Sequence, residues 1–371
     1  MFKKIFFILI LAFGALVYLK ASKRPNQQAP YPYINNIKDL TPPEGISDAD
    51  VLILGDTLGL SLGPYQEILV SESSRGLSQP LKIVNWSWTN EGLHRSLMKL
   101  KSLKKLPRVV LYFGGSDELK ETPFIPKAMP DILRNFKLYA HPRVATAVTL
   151  APFSSRLIYL SHELKKIDKY EPSTKQSDPE IYQKQLEVHY KLFELELRDF
   201  VQTVRKAGSN PLLMSAPINL EFPPHRVCNN TQSTQTVEFL EQKRAQLKQR
   251  RFKEAYTDLQ ETAQNLIANA DAWFLLGIAA KRMGKREEAI LYFKKAQTFD
   301  CDPKAAGPVF NGIMRKVAKD TGTFLIDFER MMEGQFGRNE LFLSERFVQN
   351  LYYQALSKET AKVIRQIFDI K

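Results

Sequence analysis

The sequence predicts an α/β domain built on a doubly wound parallel sheet, and two observations carry that prediction. Short, continuous apolar runs recur along the chain: VLILG at 51–55, LKIVNWS at 81–87, RVVLYFGG at 108–115, PLLMSAP at 211–217 and TFLIDF at 323–328. Runs of this length without polar alternation are those of strands buried on both faces. Helix-period segments lie between and after them. Leu93, Leu97, Leu100 and Leu103 follow the second run, and Leu351, Ala355, Val363 and Ile367 mark the stretch from Asn350 to Phe368. Parallel strands require such crossovers. In an open sheet of this kind the working groups lie at the carboxyl ends of the strands.

The chain opens differently. Lys3 and Lys4 precede an apolar run from Ile5 to Leu19, and Lys20, Lys23 and Arg24 follow it. The run suits a signal-peptide core or a minimal span, for which about 17–25 residues is usual. YLKASKRP offers no clear small-x-small cleavage site, and no cysteine follows closely enough for lipoprotein processing. Residues 1–20 therefore read as a signal anchor and transmembrane helix, with a cleaved signal as the alternative. Either exports the remainder. Residues 21–48, rich in Pro, Asn and Gln, read as a tether. The expected location is membrane-anchored and extracytoplasmic, on the periplasmic side of the inner membrane in a Gram-negative cell.

Composition narrows the class. With 44% hydrophobic and 25% charged residues, the 371-residue chain is neither disordered nor multispanning. Its formal charge of +13 suits an anionic surface or polymer. The basic residues are dispersed, as in Lys99, Lys101, Lys104 and Lys105, and read as a solvated face. No zinc-finger spacing or RNA-binding aromatic motif accompanies them, so no nucleic-acid partner is expected. Two cysteines exclude a four-cysteine metal site, no other metal-ligand cluster appears, and no cofactor is expected.

Two segments break the α/β alternation. Residues 121–205 form a long helical excursion between the third and fourth strands, and its amphipathic end has no reading beyond packing or partner contact. In 236–300, RFKEA (251–255) and KREEA (285–289) repeat at an offset of 34 residues, placing Ala255 over Ala289 and Leu259 over Phe293. That is the period of the TPR repeat. In the second copy Trp273, Leu276, Gly277, Gly284, Ala289, Phe293 and Ala296 supply the large and small residues the pattern needs. In the first, Lys243 stands where Gly277 maps. A strand and a helix follow, so the pair is an insertion. The expected layout is 49–228 as the first part of the α/β domain, 229–302 as the TPR-like insertion and 303–371 as the rest. The insertion offers a groove for a protein partner. Cys228 and Cys301 flank it, which suggests a disulfide across its base, with two free thiols as the alternative.

The motifs after the first three strands, taken in order, resemble those of the SGNH/GDSL hydrolase family. VLILGDTLGLSLG resembles its Gly-Asp-Ser block, NWSWTNEGL (85–93) stands at its second block, and YFGGSDE (112–118) at its Gly-x-Asn-Asp/Glu block. The stretch from Ala306 to GRNELFLSERFVQNLYYQAL resembles the end of TPR-containing members, which finish on Asp-x-x-His. The resemblance spans most of 49–371 and implies a flavodoxin-like doubly wound α/β fold. It also assigns positions. The nucleophilic serine maps to Thr57, the oxyanion-hole glycine to Asn90, the oxyanion-hole asparagine to Ser116, and the terminal aspartate and histidine to Ser344 and Phe347.

All five positions depart from the pattern. A hydroxyl needs an adjacent base to become a nucleophile, and Phe347 cannot exchange a proton. Loss of the histidine from such a triad costs on the order of 10⁶ in turnover, and loss of an oxyanion donor about 10²–10³. The expectation is a catalytically degenerate binding or scaffolding module of the cell envelope, holding a glycan or acyl ligand with Asp56, Thr57, Trp86, Trp88, Asn90, Ser116 and Asp117. The alternative is an esterase or acetyl-transfer enzyme acting on envelope polysaccharide through Thr57. Replacement bases for it would be His94, His225 or Glu345, although the first two read first as surface histidines, and Asp327 reads as structural. Aromatics beside a sheet are also common core residues.

Overall fold

The structure, a computed structural model, describes residues 14–19, 21–22, 40–120, 124, 128–159, 179–227, 233–305, 307–338 and 340–368. Contacts divide the chain into two bodies, Met1–Asn36 with Pro123–Ile167, and Ile37–Thr122 with Asp168–Lys371. The predicted strands and the insertion all belong to the second body.

Its centre is a five-stranded sheet: β1 (Val51–Gly55), β2 (Ile83–Asn85), β3 (Val109–Phe113), β4 (Asn210–Met214) and β5 (Phe324–Ile326). The order is β2-β1-β3-β4-β5 and every pairing is parallel, with Val51 opposite Val109 and Val109 opposite Asn210. This is a doubly wound sheet, as the alternation predicts, with the flavodoxin-like order that the resemblance implies. All residues of β1 and β3 are buried, as uninterrupted apolar runs require. The second strand is shorter than its apolar run and ends at Asn85; the Trp86 N–H still donates to the Ile53 carbonyl at 2.8 Å, and its side chain stays in the core at 3% exposure.

Successive side chains of a strand point to opposite faces, and each face has its own helical cover. Val51, Ile53, Val109, Leu111 and Leu212 pack with Leu58 of α1 (Thr57–Ser61), Leu69 of α2 (Gln66–Ser73), and Leu356 and Ile364 of the terminal helix. Leu52, Leu54, Val110, Tyr112 and Leu213 pack with α3 (Leu93–Ser102), α4 (Pro179–Lys206) and the helix Pro308–Thr321. The leucine stripe at 93, 97 and 100 is the buried face of α3. Lys99 is a correction to the solvated-face reading. It is fully buried, paired with Glu91, and donates to the Trp86 carbonyl at 2.8 Å.

The insertion consists of α5 (Thr234–Lys248), α6 (Phe252–Asn265), α7 (Ala270–Arg282) and α8 (Arg286–Thr298) around a third core. Helices α9 (Pro308–Thr321), α10 (Phe328–Glu333) and α11 (Asn350–Ile367) complete the body. Cys301 is buried and disulfide-bonded; Cys228 lies outside the described residues. The last part of the long excursion, α4, packs on the sheet.

The first body holds helical residues 14–19 and the helices Met129–Tyr139, Pro142–Leu150 and Ser155–Ile158, with the Tyr18 and Phe153 rings 5.7 Å apart. Among the described residues no helix is long and apolar enough to cross a membrane, and the first nine residues of the apolar run lie outside them.

Candidate functional site

At the carboxyl edge of the sheet the chain makes one sharp stop. Gly55 has φ 150°, and a Cβ there would lie 1.9 Å from the Phe113 carbonyl oxygen, so only glycine lets β1 end against β3. The buried Asp56 follows. Its Oδ1 accepts from the Leu58 N–H at 2.8 Å, while its Oδ2 accepts from the Ser116 and Asp117 N–H groups at 2.6 and 2.8 Å. One carboxylate thereby joins the loop after β1 to the loop after β3. Burial, and then the neighbouring Asp117 charge, push the Asp56 carboxyl up to about 7 against those three donors.

Thr57 points its hydroxyl at Asp117 Oδ2, and its own N–H faces the same oxygen at 3.3 Å. Asn90 adopts a left-handed conformation at φ 59°, one that asparagine tolerates better than most residues. That turn aims its N–H at the same oxygen, 3.1 Å away. The second oxygen, Oδ1, takes Lys120 Nζ at 2.6 Å and Arg346 Nη1 at 2.7 Å. Lys120 also donates to Asn90 Oδ1 at 3.0 Å, and Arg346 to the Lys304 carbonyl. Burial works to raise the Asp117 carboxyl, but Lys120, the Thr57 hydroxyl and Arg346 outweigh it and hold it below the ordinary aspartate range.

The other residues singled out from sequence are distributed around this knot. Ser116 is buried, and its Oγ has no hydrogen-bond partner among the described residues. Trp86 belongs to the core, which corrects its reading as a ligand wall, whereas Trp88 is 45% exposed. Lys99 Nζ lies 5.3 and 5.2 Å from the two indole centroids. Ser344 and Phe347 form a turn, Ser344 Oγ accepting from the Phe347 N–H at 3.2 Å, and neither bonds Thr57 or Asp117. Arg346, between them, is the residue that reaches the site.

The replacement bases stand elsewhere. Glu345 faces His225 Nε2 at 3.4 Å, and His225 Nδ1 faces Asp300 Oδ2 at 3.3 Å. His94 is buried against Glu196, not a surface residue. Asp327 caps α10 and pairs with Arg315 at 2.7 Å, a structural role. None of the histidines the structure describes hydrogen-bonds Thr57.

Lys120 and Arg346 have no counterpart in the sequence reading. Lys120 had a local signal, three residues after Asp117, where a lysine can turn back on the carboxylate. Arg346 meets a partner 229 positions away, and no periodicity reports such a pair. Glu118 also went unnoticed. Buried, it accepts from the Leu93 N–H at 3.0 Å and from the Tyr112 hydroxyl at 2.6 Å, and burial raises its carboxyl well above the usual glutamate range.

The fold and this site together define a parallel α/β protein with flavodoxin-like strand order and its polar centre at the carboxyl edge. Neither a protein-family profile nor a curated protein sequence matches the chain. Solved structures do align with it. A GDSL-like lipase from Bacteroides thetaiotaomicron does so at 7% identity and a TM-score of 0.33, covering 85% of this chain and 87% of that one. A lipase/acylhydrolase from Enterococcus faecalis gives 11% and 0.35, covering 85% and 94%. An alpha/beta hydrolase enzyme from the metagenome of Lake Arreo gives 12% and 0.35, covering 88% and 100%. Likeness at this level adds nothing to what the strand order and the site contacts show.

Proposed function

We propose that this chain is an SGNH-hydrolase-like protein that works by binding or scaffolding at the cell envelope and no longer turns over esters at Thr57. One observation carries the reading: the Asp117 carboxylate occupies the donors that catalysis would need. The resemblance assigns the nucleophile to Thr57 and an oxyanion donor to Asn90. The N–H groups of both residues, with the Thr57 hydroxyl, converge on Asp117 Oδ2. A developing oxyanion needs donors free to meet it at about 2.7–3.1 Å. Here a resident anion holds them.

The hydrolase alternative has one contact in its favour, a carboxylate within reach of the Thr57 hydroxyl. Asp117 is nevertheless a poor base. Lys120 and Arg346 hold its acidity up, so it has little tendency to take a proton from an alcohol. The ligand surfaces left are the exposed Trp88 beside this edge, suited to a glycan or acyl group, and the helical insertion, suited to a protein partner.

The test is hydrolysis of 4-nitrophenyl acetate by the full chain in detergent, beside Thr57→Ala. Equal rates in the two proteins are expected. Turnover above buffer that vanishes in Thr57→Ala would overturn the binding reading and make Asp117 the base to examine.

A further inference from the structure

The first body contains the stretch that neither the old catalytic motifs nor the insertion explains, the early part of the excursion between β3 and α4. Its helices Met129–Tyr139, Pro142–Leu150 and Ser155–Ile158 share that body with the end of the N-terminal apolar run. Two contacts make the junction. The Phe153 and Tyr18 rings lie 5.7 Å apart, and Arg156 Nη1 donates to the Ser22 carbonyl at 3.0 Å. The Arg156 guanidinium also lies 5.1 Å over the Phe153 ring. The hydrogen bond joins residues 134 positions apart, so the excursion returns to the place where the apolar run ends.

The residues around this junction are unusual in two ways. Leu150 and Leu157, which flank it in sequence, are 80% and 54% exposed. A lone exposed leucine needs no explanation, but these two stand in a strongly basic segment. Between Pro123 and Tyr159 the sequence has Lys127, Arg134, Lys137, Arg143 and Arg156 against the single acid Asp131. The hydroxyls are also committed. Thr146 and Thr149, both exposed, donate to the Pro142 and Ala145 carbonyls at 2.9 and 2.8 Å. Ser154 and Ser155 donate to the Ala147 and Pro152 carbonyls at 3.2 and 2.7 Å. Side chains bonded back to their own segment ask for no outside partner, which is the condition a surface facing lipid must meet.

We propose that residues 150–157 form an interfacial foot, which rests on the bilayer beside the end of the apolar run and places Leu150 and Leu157 in the acyl boundary. The contacts name the occupant. Ile5 to Leu19 is the stretch of this chain suited to lipid, and Tyr18 and Ser22 mark its end among Lys20, Lys23 and Arg24. Residues that touch Tyr18 and Ser22 therefore stand at headgroup depth, where aromatic rings and arginines collect. Phe153 and Arg156 are such a pair. Arg143, exposed and the only charge on the helix Pro142–Leu150, meets the phosphates from the same side of the foot. The early excursion thereby gains a role: it braces the membrane segment where that segment leaves the lipid. The inference rests on the cell-envelope location proposed above and is independent of what Thr57 does.

The test reconstitutes the full chain into vesicles of phosphatidylcholine that include a phosphatidylcholine carrying a diazirine on its acyl chain, and maps the photoadducts by peptide mass spectrometry. Leu291, exposed on the insertion, marks the background. Adducts are expected on the apolar run and, about tenfold above the Leu291 peptide, on residues 150–157. In Leu150→Glu/Leu157→Glu, which alters two exposed side chains and no core contact, adducts on 150–157 should fall to background while those on the run remain. Labelling of the run without 150–157, as when a second copy of the chain covers the leucines, would overturn the foot and leave the anchor standing. Labelling of neither would overturn both. Adducts on 150–157 that persist unchanged in the double variant would also overturn the proposal, because the leucines would then not be what enters the lipid.

Discussion

Asp117 accepts five donors from four residues, three on one oxygen and two on the other. Hydrogen bonds to a charged group contribute about 1.5–3 kcal/mol each in favourable cases, and removing one member of such a set leaves the others short of a partner. Asp117→Ala is therefore expected to cost about 2–4 kcal/mol in denaturant unfolding. The vacancy has the shape and charge of a small carboxylate, so formate should restore on the order of 1 kcal/mol once its concentration exceeds the dissociation constant severalfold. Chloride at equal ionic strength should not, and the wild-type protein should respond to neither. The sequence was informative here as far as it is local. Asp56, Thr57, Asn90, Ser116 and Asp117 each follow a strand, and the parallel topology brings the ends of β1, β2 and β3 to one edge. What escaped it was Arg346, whose partner depends on how the last loop folds over that edge.

The helical insertion shows what periodicity can and cannot report. Helices α6 and α8 begin at Phe252 and Arg286, which reproduces the 34-residue offset of the two copies. The small positions in the second copy have a concrete cause. A Cβ on Gly277 would lie 2.7 Å from Phe293 Cδ1, so glycine is what allows α7 and α8 to close on each other. Gly277→Ala should destabilise the protein by about 1–3 kcal/mol through overpacking. The expected signature is a lower denaturant midpoint at unchanged slope. In the first copy Lys243 fills the corresponding position, buried and paired with Asp258, a charged substitute for a missing small residue. Apolar runs misled elsewhere. LKIVNWS reads as one strand, but β2 proper ends at Asn85; the Trp86 N–H still donates to the Ile53 carbonyl of β1 at 2.8 Å, while its side chain joins the core with the leucines of α3.

At the scale of the molecule the buried ionisable groups set the pH response. His189, on α4, is buried, and burial pushes its imidazole down to about 4 from the ordinary 6.5. The unfolded chain then binds the proton more tightly than the folded one. Stability from this group is complete above pH 6.5 and is lost as pH falls toward 4, by about 3 kcal/mol at about 1.4 kcal/mol per unit. Asp56 works in the opposite sense. Its raised carboxyl favours the folded state at low pH, a contribution lost as pH rises from about 4 to about 7. The two slopes oppose each other, so the informative readout is a difference. His189→Leu should be the more stable protein at pH 4.5 relative to pH 7 when its unfolding free energies are set beside those of the wild type. Neither effect was legible in the sequence, where five histidines look alike until burial separates them.

The seated carboxylate has a consequence for any attempt to install hydrolase residues in this chain. Writing in three of the hydrolase motif residues, Thr57→Ser with Phe347→His and Ser116→Asn, would leave the Asp117 carboxylate on the N–H groups of residues 57 and 90. Such a variant should stay silent toward 4-nitrophenyl acetate, with no acyl-enzyme burst.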